Sequence, residues 1–409
     1  MMKNNNYLYA AVIAAFSGFL FGFDMVVISG ADQILQKIWH SSDLFHGWIV
    51  MSMALWGTVI GSIFGHKPTD LLGRKKTLLA VGLLFAISAF GSALANDPIT
   101  FAAARFLGGI GIGISTIAAP AYIAEIAPIE KRGRLVGLYQ FNIVFGILIA
   151  YLSNYYFSKF GAESWRWMLG IQILPALVFS ILTLFIMDSL VHSDQHKIAE
   201  DSIYKPAYRR ILWLTFFIAF FNQFSGINAF LYYAPRIFEI ANLNEDAAAL
   251  SSVGVGLINL IFTMFGLLMI DRFGRKTLLI IGGVGYVISL GLVALFFSGV
   301  QLFDISLLFF LFIASHAIGQ GAVIWVFISE IFPNHLRAKG QAFGSTVHWI
   351  LAAFIPALMP FLFQTIGAAA IFGFFTFMMI LQLVWIQYKV RETKSKTLEQ
   401  IQLELKNHE

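Results

Sequence analysis

The sequence predicts an all-α membrane protein, in which twelve transmembrane helices form two pseudo-symmetric six-helix bundles. Three observations support this fold class. Of the 409 residues, 58% are hydrophobic and 12% are charged, a composition typical of chains with many membrane spans. The apolar residues fall into twelve runs, each long enough to cross a bilayer as a helix. Charged motifs between those runs recur at a nearly constant offset.

The twelve apolar runs alternate with short polar loops along the chain. Their limits lie at about 8–30, 48–66, 77–95, 98–122, 135–157, 167–188, 211–238, 248–270, 277–298, 304–329, 341–364 and 367–388. If both termini are placed in the cytoplasm, the basic residues of the outer loops are Lys37, Lys159, Arg166 and Arg236. Because cytoplasmic loops are the ones rich in Lys and Arg, this topology is the predicted one.

Two charged motifs indicate an internal repeat. Asp70–Arg74 follows the second run, and Glu125–Arg132 follows the fourth. Similar motifs return as Asp271–Arg275 after the eighth run and Glu330–Arg337 after the tenth, at offsets of 271 − 70 = 201 and 330 − 125 = 205. Two motifs in one order at nearly one offset predict two parallel halves, and the substrate site of such proteins is expected between the halves at mid-depth.

The repeat divides the chain into four predicted segments. Residues 1–188 form the N-terminal bundle and residues 211–388 form the C-terminal bundle. A cytoplasmic linker, 189–210, joins the bundles, and 389–409 is a short charged cytoplasmic tail. It stays open whether the short linker contains intracellular helices.

Three amides in the seventh apolar run are the clearest sign of a binding site. Asn222, Gln223 and Asn228 are costly in hydrocarbon unless they face a wet cavity. Each amide offers two N–H donors and an acceptor oxygen, which suits a neutral ligand that carries hydroxyl groups. Gly226 and Pro235 predict a locally unwound helix, as at the midplane sites of transporters. The alternative interpretation is that these amides join neighbouring helices.

Asp24 and Arg105 are charges inside apolar runs. Asp24 lies about 9 Å of helix from the outer end of the first span, and Arg105 lies about 10 Å from the outer end of the fourth. Two opposite charges at one depth, each expensive alone, are expected to pair. A pair that opens and closes could bind and release a proton, whereas a permanently closed pair would be structural.

The charges of the repeated motifs lie at the predicted cytoplasmic ends of helices. They are Asp70, Arg74, Glu125, Arg132, Asp271, Arg275, Glu330 and Arg337. Our hypothesis is that this network holds the two halves together on the inside when the site opens outward. The alternative is that some of the basic residues merely satisfy the excess of positive charge on the cytoplasmic side.

Several longer motifs carry a family resemblance. The Asp-x-x-Gly-Arg loops and Glu-x₆-Arg segments resemble those of the major facilitator superfamily. The stretches Gly22–Gly30, Arg105–Gly111, Trp165–Gly170, Gln223–Asn228 and Glu392–Gln400 resemble those of its sugar porter family. The resemblance covers nearly the whole chain, and it implies sugar transport by the major facilitator fold.

The resemblance also implies roles for individual residues. The family's sugar ligands fall on Gln140, Gln223, Asn228, Asn259, Trp325 and Trp349. Asn222, next to Gln223, and His348, next to Trp349, depart from the family pattern. His348 is expected to bind a hydroxyl, to titrate or to pack. Tyr232 and Tyr233 are expected to close the site from outside. Proton-coupled members carry an acid at the position of Asp24, and uncoupled facilitators carry Asn.

The function expected from the sequence is sugar:proton symport by alternating access across the cytoplasmic (inner) membrane. A pentose or hexose, protons and the lipid bilayer are the expected partners, and the protein is expected to work as a monomer. Protons serve as the coupling ion; no other cofactor, metal, nucleic acid or enzymatic reaction is expected. Passive sugar facilitation is the first alternative. A sugar sensor is less favoured, because the 389–409 tail leaves little room for signalling.

Overall fold

The computed structural model describes residues 6–189, 202–333, 335–396 and 400–401, and helices dominate them. The first nine are α1 (Asn6–Ile38), α2 (Asp43–Phe45), α3 (Met53–Phe64), α4 (His66–Leu71), α5 (Arg74–Leu94), α6 (Pro98–Ile126), α7 (Arg132–Phe157), α8 (Ser164–Gly170) and α9 (Ile173–Phe185). The others are α10 (Arg209–Phe224), α11 (Ile227–Ile240), α12 (Glu245–Phe273), α13 (Arg275–Phe297), α14 (Ile305–His316), α15 (Ala322–Ile331), α16 (Arg337–Thr365) and α17 (Gly367–Lys389).

These helices supply the predicted membrane spans. Among the described residues, eleven helical stretches are long and apolar enough to cross a membrane, and a bent pair brings the number to twelve. The bent pair is Asp43–Met51 and Met53–Phe64, which meet at 42°. The prediction of twelve spans is therefore confirmed when this pair is taken as the second span.

Two spans contain π-helical segments. His46–Met51 opens the second span, and Ala317–Gly321 separates α14 from α15 in the tenth. A π-helical turn contains one residue more than an α-helical turn, so it changes the direction in which the following side chains point. Both segments lie beside polar residues described below.

The seventh span is interrupted as predicted. Helix α10 ends at Phe224, α11 begins at Ile227, and Gly226 between them has a φ of +81°. A Cβ atom at Gly226 would lie 2.5 Å from the ring of Phe375 on α17. Both the backbone angle and the close ring require glycine, so the break is built into the sequence.

The chain forms two compact units. Unit 1 comprises Met1–Gln195, Ala229–Leu260 and Pro356–Phe361, and unit 2 comprises His196–Asn228, Ile261–Ile355 and Leu362–Glu409. The predicted domain limits stay a prediction. The question of intracellular helices in the linker falls largely on residues 190–201, outside the described residues; beyond them, Pro206–Tyr208 forms a single 3₁₀ turn.

Glycine allows the helices of unit 1 to pack at backbone contact. A Cβ atom at Gly22 of α1 would lie 1.9 Å from the carbonyl oxygen of Ile143 on α7. A Cβ atom at Gly109 of α6 would lie 1.8 Å from the carbonyl oxygen of Ala54 on α3. Without a hydrophobic driving force between helices in lipid, such close packing is a main source of association. It brings α1, which carries Asp24, against α7 and brings α6, which carries Arg105, against α3.

Candidate functional site

Gln223 is the centre of a buried amide cluster in unit 2. Its Nε2 atom donates to Asn222 Oδ1 at 3.0 Å, and its Oε1 atom accepts from Asn228 Nδ2 at 2.9 Å. All three amides are at most 4% exposed. In an unbroken helix, residues five apart point in different directions. The break at Gly226 is therefore what allows Asn228 to return to Gln223.

The imidazole of His348 on α16 joins this amide cluster to two tryptophan side chains. The Nε2 atom of Gln223 lies 3.2 Å from both ring nitrogens of His348. The ring centroids of Trp325 and Trp349 lie 5.1 and 4.9 Å from that of His348. Amides and indole rings thus stand together, which is the combination that can bind hydroxyls and cover the apolar face of a sugar.

Three polar residues near this cluster are not predicted from the sequence. The hydroxyl of Tyr286 on α13 is hydrogen-bonded to His316 Nδ1 on α14, and the Tyr286 side chain is fully buried. Ser225 Oγ donates to the Asn222 carbonyl at 2.6 Å in the break itself. An isolated His in an apolar run was the available signal, since ionisable residues are rare in membrane spans.

Asp24 and Arg105 form a buried ion pair in unit 1. Arg105 Nη1 donates to Asp24 Oδ1 and Arg105 Nη2 donates to the Asp24 backbone carbonyl, each at 2.7 Å. Both residues are at most 1% exposed. Among the described residues, Asp24 Oδ2 accepts no hydrogen bond. Gln172, the residue before α9, donates from Nε2 to the Leu20 carbonyl at 3.2 Å, one helical turn before Asp24. The pair is monodentate at the carboxylate and leaves one oxygen available.

The remaining residues predicted to bind sugar or close the site lie in unit 1. Gln140 on α7 is half-buried, and Asn259 on α12 is 5% exposed. Tyr232 and Tyr233 on α11 are fully buried, and the Tyr233 hydroxyl donates to the Pro356 carbonyl at 2.9 Å. Since these residues belong to a different unit from Gln223, their place in a common site stays a prediction.

The charges of the repeated motifs form one arrangement twice. In unit 1, Arg74 binds Asp70 at 2.9 Å and Glu125 at 3.0 Å. In unit 2, Arg275 binds Asp271 at 3.2 Å and Glu330 at 2.7 Å. Each arginine joins its own loop to the end of a different helix.

The ion-pair partner of Glu125 lies outside its own Glu-x₆-Arg segment. Its carboxylate binds Arg74, 51 residues away, while Arg132 at the start of α7 is exposed. The reason is that α4 and α5 pack beside the end of α6, so Arg74 reaches the carboxylate across that contact. These ion pairs lie within units, and the predicted role of the network in holding the halves together stays a prediction.

Glu392 is a further important residue beside the repeated motif of unit 2. Its carboxylate accepts from the backbone N–H groups of Arg275 and Lys276 at 2.8 and 3.0 Å, at the start of α13. It also accepts from the N–H groups of Thr393 and Lys394. Partial burial acts to raise the pKa of Glu392, but the four backbone donors hold that pKa below its usual value. A carboxylate at a helix N-terminus stabilises the helix.

We expect Glu392→Gln to lower the thermal unfolding temperature of the detergent-purified protein at pH 7. The loss of a charged cap corresponds to about 1–2 kcal/mol. Because the folded-state pKa lies below the unfolded value of 4.5, the contribution of Glu392 is full above that value and disappears as the pH falls through the folded-state pKa. The difference between variant and wild type should therefore narrow in acid. Glu130→Gln, at an exposed glutamate, is the matched control, and equal unfolding temperatures for Glu392→Gln and wild type at pH 7 would contradict the capping role.

Known proteins resemble this chain in both sequence and fold. The sugar (and other) transporter family matches residues 10–209 and 204–405. A glucose transport protein of Synechocystis sp. is 33% identical, over 95% of this chain and 95% of the relative. The D-xylose-proton symporter of Escherichia coli K12 is 31% identical, over 98% of this chain and 96% of the relative. An inward-open structure of the xylose transporter from E. coli matches with a TM-score of 0.86 at 29% identity, over 97% of this chain and 99% of that one. Together with the twelve spans, these matches show that the chain belongs to the sugar transporter family and has the major facilitator fold.

Proposed function

We propose that this protein is a sugar:proton symporter that works by alternating access. The observation that carries the proposal is the Asp24–Arg105 pair, because a buried carboxylate with one unbound oxygen can accept a proton. Protonation would remove the negative charge and release the guanidinium. Separating a buried carboxylate from its cation favours the protonated acid, so opening the pair and binding a proton would support each other.

The proposed sugar ligands are those gathered around Gln223. Its amide, those of Asn222 and Asn228, and the His348 ring currently satisfy one another. A sugar can replace these mutual hydrogen bonds with its own hydroxyls, so binding leaves no buried amide unpaired. Trp325 and Trp349 would then cover its C–H face. Names of the relatives support a pentose or hexose as the substrate.

The remaining features of the proposal follow from the family and the loop charges. We place the protein in the bacterial inner membrane with both termini in the cytoplasm, because that orientation puts most Lys and Arg inside. The proposed cycle moves a sugar and a proton as a monomer, makes no covalent bond, and uses no cofactor besides the coupling proton.

The test is uptake of labelled D-xylose and D-glucose into proteoliposomes, with and without an inward proton gradient. We expect uptake above the outside concentration only with the gradient. Uptake that ignores the gradient would replace symport by passive facilitation. Failure of folded protein to take up any sugar of a wider panel would refute the transport proposal and favour a sensor.

We expect His348→Gln to change the ratio of the affinities for D-xylose and D-glucose. The change removes a ring that contacts Gln223, Trp325 and Trp349 while keeping a hydrogen-bonding group. One altered hydrogen bond is worth about 0.5–1.5 kcal/mol, so a shift of about threefold to tenfold is expected in competition binding. His66→Gln, at an exposed histidine, should leave the ratio unchanged. An unaltered ratio in His348→Gln would exclude His348 from sugar selection.

A further inference from the structure

A second buried charge cluster lies in unit 1, near the C-terminal end of α1. Asp32 on α1 is 1% exposed and has two partners from other segments. His46 Nε2 lies 2.8 Å from Asp32 Oδ1, and Arg236 Nε lies 2.7 Å from Asp32 Oδ2. In the proposed orientation this is the outer end, so we name Asp32, His46 and Arg236 the outer cluster.

The outer cluster connects the first, second and seventh spans at the proposed outer end. His46 is the first residue of the π-helical turn that opens the second span, and Arg236 lies on α11 beyond Tyr233. Further contacts reinforce it, since Gln36 of α1 binds Arg236 and Gln33 Nε2 donates to Glu239 at 2.9 Å. Movement of the outer end of α11 away from α1 requires Asp32 and Arg236 to separate.

His46 can take up a proton without losing its hydrogen bonds. Ser41 Oγ lies 3.2 Å from His46 Nδ1, on the side of the ring away from Asp32. With neutral His46, Nε2–H donates to Asp32 and the Ser41 hydroxyl donates to Nδ1. With protonated His46, Nδ1–H donates to the Ser41 oxygen instead. A hydroxyl can serve in either role, so the surroundings accept both states of the ring.

Arg236 opposes that protonation while the cluster is closed. Arg236 Nη2 lies 3.1 Å from Asp32 Oδ1, the same oxygen that His46 contacts. An imidazolium at His46 would therefore place a second cation close to a buried guanidinium, and like charges in a poorly solvated site repel strongly. If Arg236 leaves, Asp32 becomes a buried carboxylate without its cation, and protonated His46 can then neutralise it.

We propose that Asp32 and His46 form a second proton-binding site, at which a proton taken up by His46 replaces Arg236 when the outer end opens. The inference rests on the proposed function for its orientation. Protons bind more tightly to the open outer end than to the closed one, so acid outside favours opening. For one coupled proton, the equilibrium between the closed and open outer end shifts by at most about tenfold per pH unit.

Other titratable groups border the outer cluster. On α11 they are Tyr233, whose ring stacks near the Arg236 guanidinium, and Glu239, which Gln33 binds. On α2, Asp43 accepts from Gln36 at 2.7 Å. Helix α6 also packs against the π-helical turn; its Arg105 is engaged by Asp24. The segment 356–361, which meets Gly47, has no titratable side chain.

The chain has no cysteine, so two introduced cysteines can carry spin labels without background. We choose Lys37→Cys and Asp246→Cys, both at exposed positions of unit 1. Pulsed electron–electron distance measurements are made in nanodiscs from pH 8 to pH 5, without sugar and with Asp24→Asn to remove titration of that carboxyl. The population of molecules with the longer distance between the labels should grow several-fold for each unit by which the pH falls. No pH response, or shortening in acid, overturns the proposal.

Three variants test the cluster itself in that labelled protein. His46→Gln keeps a donor for Asp32 but cannot titrate, so its distances should stay short at every pH. Arg236→Gln should favour the long distance already at pH 8. His40→Asn, at an exposed histidine near the same end of α1, should respond as the parent does. A pH response that survives in His46→Gln, or is lost in His40→Asn, overturns the proposal.

These results are distinguishable from failure of the proposed function, because the label distances require neither sugar nor a proton gradient. Absent sugar accumulation with an intact response through His46 would refute symport alone. Normal accumulation with pH-insensitive distances would refute only the second proton-binding site.

Discussion

Protein with Asp24→Asn should exchange labelled sugar across proteoliposome membranes but fail to accumulate it. Asn keeps the shape of the side chain and can still accept from Arg105, so the fold should persist. It cannot bind and release a proton, and without that step the proton gradient does no work on the sugar. The inside concentration should therefore rise only to the outside concentration, whereas the wild type exceeds it when an inward gradient is imposed.

The matched control for this change is Asp97→Asn. Asp97 is exposed and caps the start of α6, the helix that carries Arg105, by accepting from two backbone N–H groups. Asn caps helices about as well as Asp, so this variant should accumulate sugar normally. Retained accumulation in Asp24→Asn would show that Asp24 only orders Arg105 and that the coupling proton binds elsewhere.

Gln223→Ala should weaken sugar binding by about tenfold or more. Gln223 contacts Asn222, Asn228 and His348, and its removal takes from each of them its side-chain partner among the described residues as well as deleting a ligand. A lost hydrogen bond costs about 0.5–1.5 kcal/mol, and each stranded buried group adds to that cost. Calorimetric titration of the purified protein with D-xylose or D-glucose measures the change.

Asn228→Ala and Gln387→Ala complete the comparison. Asn228 contacts the cluster through Gln223 alone among the described side-chain bonds, so its loss should cost less than that of Gln223. Gln387 is exposed on α17, and its variant should bind as the wild type does. Unchanged affinity in both Gln223→Ala and Asn228→Ala would remove the seventh span from the sugar site.

The features predicted from the sequence are those with a local or periodic signal. Twelve spans follow from run length, and the break in the seventh follows from Gly226 among apolar residues. Asp24 and Arg105 are 81 residues apart, yet each is anomalous inside an apolar run, and the common depth suggests the partnership. In these cases the membrane supplies the constraint, because a charge or amide within it is costly unless it is paired or faces a water-filled cavity.

The outer cluster and the partner of Glu125 could not be predicted from a local or periodic pattern in the sequence. Asp32, His46 and Arg236 lie near predicted span ends, where a charge can reach water and needs no partner. Which of them meet depends on how α1, α11 and the turn at His46 approach one another. Likewise, Glu125 could bind the arginine seven positions later or one in another loop, and only the packing of α4 and α5 on α6 selects Arg74.

The carboxylate that caps α13 has a consequence for biosynthesis. Arg275 leaves the ribosome 117 residues before the Glu392 that binds its backbone N–H. At a translation rate of roughly 5–20 residues per second, the first turn of α13 waits on the order of ten seconds for its cap. Completion of the C-terminal half thus depends on a segment that is synthesised after α17. A nascent chain arrested before Glu392 would already contain every span of the described residues and still present an uncapped helix to the cell's quality-control proteases.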